Sequence, residues 1–247
     1  MKSLLAIDMG NSGLKAAVIA GGVIQERAGA DFEESLESAG NLIKRFSPEV
    51  VVFCSVITSW SREFESRYGG NTARRVIRVS SNINLPFSIL VKSPEKLGAD
   101  RICAAAGARA EGSREAVIVD IGTAVTVDLL TSEGFRGGSI FPGPAALLNS
   151  LSREASALPA IGLTEAFSGH ARPPGRSTGE AISSGIRWGI SGAVQKLVDL
   201  TLEASASRPD IYLTGGGGEY LRDHLELPFI HDPDLIFKGL ALISRTS

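Results

Sequence analysis

Two short stretches of this 247-residue chain, 112 residues apart, each end an apolar run on a carboxylate and follow it with glycine and a side-chain donor. The first is Asp8-Met-Gly-Asn-Ser-Gly; the second is Asp120-Ile-Gly-Thr. A glycine-containing turn between strands points backbone N–H groups into one concavity, a nest that binds anions and phosphate above all. Gly10 and Gly122 permit an approach that a Cβ would block. Asn11, Ser12 and Thr123 add side-chain donors, and Lys15 adds a positive charge. Carboxylates repel phosphate, so Asp8 and Asp120 fit only with cations between: Mg²⁺ takes one or two carboxylates together with waters and substrate phosphates. The pair therefore reads as two facing nests around a metal-bound nucleotide. One such turn alone is ordinarily just a turn; the repetition after two apolar strands carries the argument. Neither GxxxxGK[ST] nor GxGxxG occurs, which disfavours P-loop and dinucleotide folds.

Further stretches invite chemistry less sharply. "LTGGGGEYL" (213–221) would let a flat ring or a ribose approach the backbone, or it is simply a flexible strand-to-helix turn. In "LGADRICAAAGA", Asp100 stands at or near a helix start, where an N-cap is its ordinary role. Asp100 and Arg101 are adjacent, so on a helix they do not pair with each other. They could serve different parts of one substrate, as an acceptor for a hydroxyl proton and a cation for an anionic group. Thr178 opens a helix, where capping is again the ordinary role. It follows a Pro/Gly/Ser/Arg-rich stretch, 159–179, long enough to suggest a lid or binding loop. His170, His224 and His231 have no metal-ligand spacing.

The elements that must carry these residues alternate between strand and helix, which indicates an α/β chain. Strands are read at "SLLAI", "LKAAVIAGG", "EVVVFCSVI", "RRVIRVS", "EAVIVDI", "AVTVDLL", "FRGGSIFPGP" (a strand and turn) and "DIYLT". Helices are read at "ESLESAGNLIKRF" (stopped by Pro48), "SREFESRY", the alanine-rich run after "GADR", residues 145–157, residues 180–205, "EYLRDHL", and the closing "DPDLIFKGLALIS". The repeated strand-turn-strand unit implies two similar halves. The division expected is 1–113 and 114–247.

Composition bounds the partners. With 43% hydrophobic and 21% charged residues the chain is globular in class, and a formal charge of -2 offers no general pull on nucleic acid or anionic membrane. The basic run "ARRVIR" (73–78) reads as a solvated strand edge. Cys54 and Cys103 lack any CxxC spacing and sit among apolar or small neighbours, so buried free thiols in a reducing compartment are expected. Asp8 cuts the first apolar run too short for a signal peptide, and no run is long enough to span a bilayer. The reading is a cytoplasmic protein.

Taken in order, "IDMGNSGLK", "GADR", "DIGTAVTVD", "GGSIFPGP", "ALP", "STGEAISSG", "LTGGGG" and "DPDLIFKGLALI" resemble the type III pantothenate kinases over nearly the whole chain. The resemblance implies a duplicated actin-like (ribonuclease H-like) fold with a nucleotide cleft between its halves. It implies ATP-dependent phosphorylation of pantothenate to 4′-phosphopantothenate, the first step toward coenzyme A. By the same resemblance Asp8, Gly10, Asn11, Ser12 and Lys15 form the phosphate-binding loop, with Thr123 a second ATP contact. Gly98, Ala99, Asp100 and Arg101 form the substrate motif, with Asp100 as general base. Asp120 holds a monovalent cation (K⁺ or NH₄⁺), Asp8 is a candidate Mg²⁺ ligand, and Thr178 contacts pantothenate. A homodimer is implied, with the pantothenate pocket near the subunit contact. The chain departs from the family at Ser12 (threonine is usual), Val91 (a pocket tyrosine is expected), Cys103 and Gly217. Val91 bears on substrate affinity more than on reaction class. Two competing readings are a nucleotide-binding regulatory relative with little activity, and a kinase for another alcohol, since a fold alone never fixes the substrate.

Overall fold

In a computed structural model, residues 3–70, 74–155, 157–169 and 172–247 are described. They form two compact units. The first contains β1 (Ser3–Gly10), β2 (Gly13–Ala20), β3 (Val23–Ala30), α1 (Ser35–Phe46), β4 (Val50–Ser55), α2 (Thr58–Tyr68), β5 (Arg75–Arg78), β6 (Ser88–Ile89) and α3 (Ala99–Ala110). Its sheet runs β3-β2-β1-β4-β5, with β1, β2 and β3 antiparallel and β4 and β5 parallel to β1. The second unit contains β7 (Ala116–Ile121), β8 (Ala124–Thr131), most of β9 (Gly134–Pro142), α4 (Pro144–Glu154), α5 (Leu163–Phe167), α6 (Thr178–Glu203), β10 (Asp210–Thr214), α7 (Gly218–Leu221) and β11 (Phe229–His231). Its strands run β9-β8-β7-β10-β11, the order of the first sheet repeated. The duplication expected from the two acid-glycine turns is thus a duplication of whole sheets.

The last helix, α8 (Leu235–Thr246), corrects the expected division at 113/114. The units part between Arg114 and Glu115, but residues 132–136 and 234–247 group with the first unit. The reason is steric. α3 and α8 cross so closely that a Cβ on Gly107 would overlap the Leu235 carbonyl, and one on Gly239 would overlap the Cys103 carbonyl. Apolar periodicity shows that a helix needs a partner; it does not say which sheet supplies it.

Strand alternation sorts the first sheet into two faces. Leu5, Ile7 and Met9 pack with Phe53, Trp60 and Phe64 on one side. Ala6, Val52 and Cys54 pack with Ile102, Cys103 and Ala106 of α3 and Leu240 of α8 on the other. Asp8, two residues on from Ala6, emerges on this second face. In the second unit Val117, Val119 and Ile121 pack on Ile186, Ile190 and Val194 of α6, so Asp120 leaves β7 on the opposite side.

Four elements escaped the sequence reading, the first being the two-residue strand β6. β3 alternates between exposed and half-buried residues without a single fully buried one, β11 is only 3 residues long, and α5 is a 5-residue helix inside the 159–179 stretch. The helix read at "EYLRDHL" shrinks to α7 followed by a 3₁₀ turn at Arg222–His224. His170, and Ala73 at the start of the basic run, lie outside the described residues. Among those described, no helix is long and apolar enough to cross a membrane.

Candidate active site

The first turn closes the hairpin of β1 and β2. Gly10 pairs with Gly13, which leaves Asn11 and Ser12 exposed at the tip. Two residues back, Asp8 lies directly across from Lys15 on β2 and beside Cys54 on the parallel strand β4. Directly paired residues share a sheet face, so carboxylate, ammonium and thiol start from one surface. The Cys54 thiol donates to Asp8 Oδ1 at 3.4 Å.

Burial pushes the Asp8 carboxyl up from 3.8 to about 6. The Cys54 hydrogen bond opposes the rise, the nearby charge of Asp100 adds to it, and Lys15 lowers it. Cys54 and Cys103 are both buried and free, as expected. Both thiols are held protonated: Cys54 by its contact with Cys103 and then by burial, Cys103 mainly by burial. They are inert filling beneath the acid rather than nucleophiles.

Asp100 reaches the same neighbourhood from α3, one helical turn before Cys103. It does not cap the helix. Gly98 is the N-cap residue, and the Asp100 side chain lies inside the first turn, where Oδ1 accepts the Arg101 N–H at 2.9 Å. The glycine at 98 has a local cause. A Cβ there would run into Asp100 Oδ1 and lie 3.7 Å from Cδ of Arg101. Ala99 is buried at the head of the helix. The four residues of "GADR" are therefore one packed corner.

The second turn repeats the first with one change. β7 and β8 pair as Ile121 with Val125 and Asp120 with Thr126. The return strand has slipped by a residue, so Thr126 occupies the place that Lys15 holds opposite Asp8. On the parallel side Asp120 neighbours Thr214 of β10. Thr126 and Thr214 are both buried. Gly122 and Thr123 are exposed, and the Gly122 N–H bonds to the Ala124 carbonyl at 2.9 Å. The glycine run closes on this acid. At Gly215, φ is +85°, and a Cβ would strike Asp120 Oδ1 and the Ile121 carbonyl. The Gly217 N–H bonds to the Ile121 carbonyl at 2.7 Å.

Thr178 is exposed and is the first residue of α6, but the cap is Ser177, whose hydroxyl accepts the Glu180 N–H at 3.2 Å. The Glu180 carboxylate in turn accepts the N–H of Arg176, the residue before the cap, at 2.7 Å. The Thr178 hydroxyl is therefore not spent on the helix end.

Among the described residues no cluster of three or more His, Cys, Asp or Glu side chains makes a ready metal cage. The donor sets fit shared cations instead. Asp8 is a single carboxylate whose burial disfavours its charge, which suits a divalent ion completed by phosphates and waters. Asp120 with two threonines is an all-oxygen set, which suits a hard cation of lower charge. Sequence reasoning missed Cys54 as a neighbour of Asp8 and missed both Thr126 and Thr214. The 112-residue offset aligns Lys15 with Val127, and only the strand register shows the slip.

The sequence profile described as type III pantothenate kinase matches residues 4–200. A type III pantothenate kinase from Halorhodospira halophila is 34% identical, covering 98% of this chain and 97% of the relative. Among solved structures, a Campylobacter jejuni protein described as a Baf family transcriptional activator aligns with TM-score 0.67 at 21% identity, over 98% of this chain and 97% of that one. MreB5 of Spiroplasma citri, solved with ADP, aligns with TM-score 0.56 at 14% identity, over 100% and 97%. These structural likenesses carry the fold alone: a duplicated α/β architecture of the actin-like class. With the profile spanning most of its length and a relative matched end to end, the chain belongs to the type III pantothenate kinase family.

Proposed function

We propose that this chain transfers the γ-phosphoryl group of ATP to the primary hydroxyl of pantothenate, with a divalent metal and a monovalent cation. Family membership supports the reaction class. The observation that carries the residue assignment is that β1 and the start of α3 bring their acids to one place: Asp8 is hydrogen-bonded to Cys54, and Cys54 packs in one cluster with Ala99 and Cys103, on either side of Asp100 along α3.

Phosphoryl transfer asks for alignment and charge neutralisation more than for covalent help. The N–H groups and side chains of Gly10, Asn11 and Ser12, with Lys15, would hold phosphate oxygens, and Thr123 would add a further contact to ATP. Asp8 would ligate the divalent metal, which when bound neutralises phosphate charge. Asp120, with Thr126 and Thr214 beside it, would hold the K⁺ or NH₄⁺. Asp100 would accept the proton of the attacking hydroxyl, and for this it must come within hydrogen-bond reach of that oxygen. Arg101 would pair with the pantothenate carboxylate as a fork. Gly98 and Ala99 would shape the corner, and Thr178 would offer its hydroxyl to the substrate. The same reading takes the active form as a cytoplasmic homodimer without a role for nucleic acid or membrane.

The test is ADP release from ATP and Mg²⁺ with and without pantothenate, in K⁺ and in Na⁺, with Asp100→Asn alongside. Turnover that requires pantothenate and K⁺ and is lost in the variant supports the assignment. A folded protein that binds ATP but turns over no pantothenate overturns it and favours the regulatory alternative.

A further inference from the structure

The Arg101 guanidinium lies over the ring of Phe135, 5.5 Å from its centroid. Phe135 is fully buried at the start of β9. Its backbone is fixed by strand pairing: Ile89 pairs with Phe135, Ser88 pairs with Gly134, and the Leu90 N–H donates to the Phe135 carbonyl at 2.9 Å. These residues and α3 all belong to the first unit. A flexible cationic side chain is thus laid on a rigid aromatic face, while the neighbouring carboxylate of Asp100 is occupied with the Arg101 backbone N–H. The two functional groups of "GADR" are turned to separate tasks.

We propose that Phe135 is a positioning residue that sets how strongly Arg101 recognises the carboxylate of the substrate. This rests on the reading that Arg101 pairs with that carboxylate. A planar guanidinium held over a ring keeps its N–H edge in a fixed plane and loses less freedom when it forms a two-bond fork. The ring's negative face also stabilises the cation, an attraction that grows as water is excluded. Phe135 touches no reacting atom, so its effect belongs in binding of the anionic end and not in the chemical step.

The experiment compares pantothenate with pantothenol, which carries a hydroxymethyl group in place of the carboxylate. Phe135→Leu should raise KM for pantothenate roughly three- to thirtyfold. It should leave KM for pantothenol within about twofold and kcat within about twofold, since uniform binding is lost and not transition-state stabilisation. Replacing Phe135 by mono-, di- and pentafluorinated phenylalanines keeps the shape and drains the ring face of charge. KM for pantothenate should then climb stepwise with fluorination while KM for pantothenol stays level. Equal rises for both substrates, or a flat fluorination series, overturn the proposal: Phe135 is then packing only. An Arg101→Leu control separates the two failures. If that change does not narrow the preference for pantothenate over pantothenol, the assignment of Arg101 to the carboxylate has failed, and the role of Phe135 falls with it.

Discussion

The two acid-glycine turns share a sequence pattern and a strand order, yet they surround their carboxylates differently. Asp8 has an ammonium across the hairpin and a thiol on the parallel strand. Asp120 has two threonines in the same places. A one-residue slip in the return strand produces half of that difference. The duplicated frame sets where an acid goes; the neighbours, which the repeat does not copy, set what the acid can bind. The first surroundings suit phosphate and a shared divalent ion, the second a weakly charged hard cation.

Four measurements would break or sharpen this contrast. The largest effect is expected beside the first turn. Asp100→Asn should lower kcat about a thousandfold while nucleotide still binds, the range found for a lost general base. Nucleotide binding lost to the same degree, read by calorimetry, would dissolve the distinction between base and binding residues.

Next comes stability. The folded pKa of Asp8, about 6, lies above its ordinary 3.8, so the folded state favours the protonated acid. Stability from this group is complete below pH ~4 and is lost as pH rises through about 6, at a cost of ~3 kcal/mol once the carboxyl is ionised. Asp8→Asn should therefore stabilise the metal-free protein above pH 6 and not below pH 4, as urea midpoints would read. A gain independent of pH would show that the carboxylate is not under strain.

The second turn should respond to salt. Asp120→Asn should raise the K⁺ concentration needed for half-maximal activity about tenfold, equivalent to ~1.4 kcal/mol, with a smaller change in KM for ATP. The reverse pattern would move the monovalent ion elsewhere. The smallest effect belongs to the thiol. Cys54→Ala removes a hydrogen bond that favours the ionised Asp8, so the loss of stability should still begin near pH ~4 but continue to a pH a fraction of a unit higher.

Much of this was legible in the sequence. Asp8 and Asp120 lie near the ends of apolar strands, although β1 runs on to Gly10 and β7 to Ile121, and their common spacing announced the duplicated sheets. What stayed hidden was lateral. Cys54 reads as an ordinary core thiol, and only the β1–β4 register sets it beside Asp8. Thr126 hid behind an alignment that holds along β7 and fails along β8. Asp100 looked like a helix cap; the cap is Gly98, which leaves the carboxylate two positions deeper, where it turns back on the Arg101 N–H. Phe135 showed nothing at all, because an aromatic in a strand gives no sign of the cation it will lie under. Spacing along the chain is written in the sequence, while adjacency across strands and between helices is decided by packing.

The crossing of α3 and α8 has a consequence in time. The corner that bears Asp100 and Arg101 is made early in synthesis, but the helix that covers its neighbour face comes more than a hundred residues later. A ribosome must therefore finish Leu235–Thr246 before the first unit can close. Contacts of such long sequence separation form slowly, and domains otherwise complete themselves in order of emergence. Until then the alanine- and glycine-rich flank of α3 stays open to solvent. A chain broken before that point lacks the helix whose Leu240 and Ile243 pack with Ile102, Cys103 and Ala106 of α3.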